Sequence, residues 1–124
     1  MVRAVTNLRR SSTPADRGSE AVLYLDGVRV GEVSVKGFNA SWGYGDFSPA
    51  PEFSAFAPLY GQWALLMHAQ TETERPDRAI VEELSRAERL LDRIRAQLYF
   101  PKTDEWITVP QLAISNELLE WKEY

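Results

Sequence analysis

Acid–base chemistry near neutral pH most often runs through imidazole, and the chain holds a single histidine, His68. Ser41, Ser48 and Ser54 are conceivable nucleophile partners for it, but none stands in a Gly-x-Ser-x-Gly elbow. Met67 and Ala69 flank the histidine at the end of an apolar run, so a structural or edge position accounts for it without chemistry. With no cysteine there is no thiolate nucleophile, no disulfide framework and no sulfur ligand for a metal. Oxygen ligands alone would remain, and no Asp-rich calcium loop occurs. Glu72, Glu74 and Asp77 along a polar stretch, and Glu82, Glu83 and Glu88 among arginines, fit solvated faces. Glu82 and Glu83 do not make an acid–base pair on a helix, because adjacent helical side chains diverge by about 100°. Gly43-Tyr44-Gly45 supplies only two glycines of a dinucleotide loop, with no third glycine opening a helix. These residues single out no catalytic group, no metal and no cofactor, so a binding role is expected ahead of that of a small enzyme, which stays open.

Binding chemistry has a better foothold. Phe38, Trp42, Tyr44, Phe47, Phe53, Phe56, Tyr60 and Trp63 are interleaved with Gly43, Gly45, Pro49, Pro51 and Pro58. Aromatics among turn-forming residues either cover an open end of the core or anchor a partner, since Trp and Tyr bury much area at small entropic cost. Trp42, Tyr44, Asp46 and Trp63 are the candidate binding residues. Gly43 and Gly45 are expected to let the backbone turn around these large rings.

The elements that must position them can be read from periodicity. Residues 1–20 form a flexible N-terminal arm rich in turn formers, with a short strand conceivable at Val2–Val5. Ala21–Leu25 is strand-like, Asp26-Gly27 is a strong two-residue hairpin signal, and Val28, Val30, Val33 and Val35 continue past it. The parity change around Gly31–Glu32 suggests a bulge there. Phe38, Ala40, Trp42 and Tyr44 alternate as a third strand, and Glu52–Leu59 suits a helical turn that Pro58 limits. Gln62–Gln70 is an apolar segment of undecided period, leaning to strand. From Asp77 to Tyr99, Ile80, Leu84, Ala87, Leu91, Ile94 and Leu98 recur at spacings of three and four and predict one long amphipathic helix capped by Asp77. Its apolar stripe, widened by Val81 and Leu90, suits packing on a sheet better than a coiled coil. Trp106–Val109 reads as a strand, and Gln111–Tyr124 as either a hairpin or a terminal helix. The expected fold is α+β: a small antiparallel sheet with one long helix, about 77–99, packed on one face, in a single domain over residues 21–124.

Composition bounds the class. The chain has 124 residues, 44% of them apolar, enough for one core without staples. No run of about 18 apolar residues and no signal-peptide pattern occurs, so a cytoplasmic protein away from membranes is expected. The net charge is −4, and Arg3, Arg9, Arg10 and Arg17 crowd the first twenty residues, so the remainder is more acidic still. An acidic domain is a poor nucleic-acid binder. The foremost expectation is a protein-interaction module, in the manner of an immunity protein or inhibitor, meeting a basic partner; homodimerisation through the helix is open to it. The alternative is a small-ligand-binding domain with an aromatic cleft between sheet and helix.

Overall fold

The computed structural model describes residues 17–71, 77–115 and 117–123. The arm up to residue 16, the Val2–Val5 strand, Glu72 and Glu74 lie outside these. Seven strands are described: β1 (Glu20–Leu25), β2 (Val28–Asn39), β3 (Trp42–Pro49), β4 (Ala96–Phe100), β5 (Glu105–Val109), β6 (Gln111–Ser115) and β7 (Leu118–Lys122). Between β3 and β4 come a 3-10 helix, η1 (Pro51–Ala55), and two α-helices, α1 (Ala57–Thr71) and α2 (Arg78–Asp92).

All strands form one antiparallel sheet in the order β5-β4-β1-β2-β3-β7-β6. The two edge strands are consecutive in the chain, joined by Pro110 alone. Strands spaced by about 4.8 Å would put the edges of a flat seven-stranded sheet nearly 30 Å apart, whereas two residue steps reach only about 7 Å. The sheet therefore curls until its edges meet at Val109 and Gln111, forming a half-barrel. Leu23, Leu25, Leu98, Phe100, Leu119 and Trp121 fill its interior, each fully buried. Each large apolar side chain so buried contributes on the order of 2–3 kcal/mol.

This overturns the expectation of a small sheet carrying one long helix. The Asp77 cap forms, its side chain accepting from the Ala79 N–H at 2.8 Å, and Leu84 and Ala87 are buried. The helix then ends at Asp92, and β4 begins at Ala96. Leu98 fits two periods at once, four residues past Ile94 and two from both Ala96 and Phe100. The sheet decides between them, because Leu98 sits between Leu23 and Ile107 in register. The stop signal is tertiary: Asp26, in the β1–β2 turn, takes the Arg95 N–H on its carboxylate and donates its own N–H to the Arg95 carbonyl, each at 2.8 Å.

Gln62–Gln70 is likewise helix, within α1, not strand. From Ala57 to Gln70 there is no β-branched residue, and Ala, Leu, Met and Gln are strong helix formers. Pro58 falls in the first turn of α1, where a missing N–H costs nothing, so it opens this helix and does not limit the turn before it. The run from Phe38 to Tyr44 is not one strand but spans the β2–β3 hairpin, whose Ala40 turns at φ 59°. The first hairpin forms as expected, with positive φ at both Asp26 and Gly27. Its bulge lies at Val30, since Leu23 pairs with Gly31 and Tyr24 with Arg29, a step away from the expected Gly31–Glu32. Gln111–Lys122 is a hairpin, β6 with β7. No helix among the described residues is long and apolar enough to cross a membrane.

Candidate functional site

Where the sheet edges meet, the half-barrel remains open, and the two helices cover the seam. Phe53 of η1 stacks edge-on against Phe47 at 5.1 Å and lies 6.2 Å from Tyr60, so an aromatic column carries α1 onto the core. α2 packs alongside α1. The Trp63 indole N–H of α1 then reaches the Glu88 carboxylate of α2 at 3.3 Å. Between this pair and the β5–β6 junction lies a cleft of about 290 Å³, at the lower end of the range that holds small ligands.

Its walls differ in chemistry. Trp42, Tyr60 and Trp63 supply aromatic surface, and Leu91, Ile94 and Val109 supply aliphatic surface. The polar groups are the carboxylates of Glu88 and Asp92, one helical turn apart on α2, and the Gln111 amide on the edge strand. Burial, with the charge of Asp26 behind it, pushes the Tyr60 phenol far above its ordinary pKa, so it stays a neutral hydroxyl. Such a lining can grip a small molecule by its faces and orient it by a few acceptors.

The candidate residues separate on this frame. Trp42 and Trp63 both line the cleft, though twenty-one positions apart in the chain. Tyr44 and Asp46 do not: both are exposed on the outer face of β3, and Asp46 pairs with Lys36 at 3.6 Å. His68 lies on the exposed side of α1 outside the cleft, and Ser41, Ser48 and Ser54 also lie outside it. Gly43 and Gly45 sit inside β3 and not in a turn. A Cβ on Gly43 would run into the Trp121 ring, so the glycine makes room for a buried indole. Among the described residues no group of three or more His, Cys, Asp or Glu is placed to hold a metal. Sequence reasoning missed Tyr60, Glu88, Asp92 and Gln111 as a group, because only the curl of the sheet brings them together. The structure separates the acids of α2 where their spacing does not: Glu82 and Glu83 pair with Arg78 and Arg86 at 3.5 and 3.0 Å, whereas Asp92, with Arg89 three residues before it, forms no ion pair among the described residues.

A second aromatic group lies on the convex face. Trp106 packs its ring 4.9 Å from both Tyr24 and Tyr99, and the Tyr99 hydroxyl donates to Asp104 at 2.7 Å. Trp106 is still 51% exposed. Comparison with known proteins finds no matching family model, no matching curated protein and no matching solved structure.

Proposed function

We propose that the domain binds a small molecule in the cleft between the helix pair and the β5–β6 seam. The observation that carries this reading is the convergence of Trp42 of β3 with Tyr60 and Trp63 of α1 on one cavity with few polar groups. Glu88 holds Trp63 in place, so the aromatic wall is set before a ligand arrives. The lining has anchors and acceptors but neither imidazole nor thiol, which suits recognition more than bond making.

The test is a panel of neutral, cationic and anionic aromatic fragments titrated against the labelled protein, followed by the Trp63 indole N–H resonance. Binding in the cleft shifts this resonance saturably. Ala113→Phe, which adds a ring to the cleft wall, abolishes the shift while the melting temperature holds. A panel in which no fragment moves the Trp63 signal at millimolar concentration would refute the reading.

A second reading, a protein-interaction module meeting a basic partner, draws support from a different place than the sequence suggested. Tyr24, Tyr99 and Trp106 form an exposed aromatic platform on an acidic chain, the composition of an interaction hot spot. Trp106→Ala separates the two readings, since it removes this platform and leaves the cleft untouched.

A further inference from the structure

The ligand class follows from how the charges on α2 are divided. Glu82 and Glu83 are neutralised by Arg78 and Arg86. Glu88 and Asp92, the two acids that line the cleft, have no ion-pair partner among the described residues, and no lysine or arginine shares the lining with them. Glu88 spends one acceptor position on the Trp63 N–H, and a carboxylate offers about four. The helix ends beside them adds to the same sign. Leu91, Asp92 and Ile94, at the C-terminus of α2, are part of the wall, and a helix C-terminus carries about half a negative charge. Ala57 and Leu59, whose N–H groups lie at the positive end of α1, are not. Lys122, between Trp42 and Gln111 in register, is outside the lining too. The remaining wall is aromatic and aliphatic, and the faces of Trp and Tyr attract a cation that has left part of its water behind.

Resting on the cleft reading above, we propose that this cleft selects an organic cation: a compact amine whose apolar part lies against Trp42, Tyr60 and Trp63 while its ammonium group meets Glu88 and Asp92. A neutral molecule of the same shape keeps the aromatic contacts and loses the charge-assisted bonds; an anion faces two carboxylates.

Phenethylamine, 2-phenylethanol and phenylacetate share a ring and a short chain but differ in charge, and they are titrated against the full-length protein by following the Trp63 indole resonance. Phenethylamine is expected to bind about tenfold or more tightly than 2-phenylethanol, with phenylacetate weakest. The preference should shrink at high salt. In the Glu88→Gln/Asp92→Asn double variant the amine and the alcohol should come within about threefold. Both side chains are exposed and Gln retains an acceptor for Trp63, so the variant keeps its melting temperature. Equal binding of amine and alcohol, tighter binding of phenylacetate, or an unchanged preference in the double variant would each overturn the charge assignment while leaving the cleft intact. If the wider fragment panel binds and phenethylamine does not, the assignment falls alone; if nothing in the panel binds, it falls together with the cleft.

Discussion

Arg17 is a sharp point on which to test the packing. Its side chain is 5% exposed, and its terminal nitrogen donates to both Glu123 oxygens at 2.8 and 2.9 Å. The guanidinium carbon stands 4.6 Å from the Phe100 ring centre and 5.8 Å from that of Phe38. Arg17→Met keeps much of the apolar stem but leaves the Glu123 carboxylate, 14% exposed, with only the Trp121 indole N–H at 3.1 Å. Removing one member of a buried pair strands the other charge, which costs about 3–5 kcal/mol, with the lost ring contacts included. At a urea dependence of about 1–3 kcal/mol per molar, a loss of 3 kcal/mol moves the unfolding midpoint down by at least about 1 M. Arg17→Met/Glu123→Gln removes the stranded charge while keeping an acceptor for Trp121. It should therefore be more stable than the sum of the single losses implies, by about 1 kcal/mol or more. Urea unfolding of the wild type, the two single variants and the double variant measures the cycle. An Arg17→Met protein within about half a kcal/mol of wild type, or strictly additive losses, would refute the reasoning.

One substitution should act with opposite signs at two glycines. Gly43→Ala drives a methyl into the buried Trp121 ring and should cost about 1–3 kcal/mol, whereas Gly61→Ala, in α1 with nothing within 4 Å of the new carbon, should gain about 0.5–1 kcal/mol; thermal unfolding of the two variants checks the pair, and equal signs would contradict the packing. Tyr60, raised by burial first and by the Asp26 charge second, should ionise last in an absorbance titration of the tyrosines. Because its folded pKa lies above the unfolded one, its contribution to stability is whole below about pH 10 and is lost as pH climbs towards the folded value, and Tyr60→Phe should remove that part of the alkaline loss.

Short-range features of this protein were decided by its sequence alone. Asp26-Gly27 demands positive φ twice in succession, and few residues other than this pair accept that cheaply, so the first hairpin was legible without the fold. The Asp77 cap and the buried Leu84 were legible for the same reason, each being a property of residue type or local spacing. Leu98 was not, because it satisfies a helical and a strand period equally, and the choice rests on Leu23 and Ile107, one of them seventy-five residues upstream. Arg17, read as part of a loose arm from its neighbours, is held by Glu123 at the other end of the described chain. Tyr60, Glu88, Asp92 and Gln111 carry no common local signal. They meet only because a seven-stranded sheet whose edge strands are joined by Pro110 has to curl, and the curl draws α1 and α2 over its seam. Local propensity acts within a few residues, while closure of the sheet is a constraint on the whole chain, and the cleft is a product of that closure.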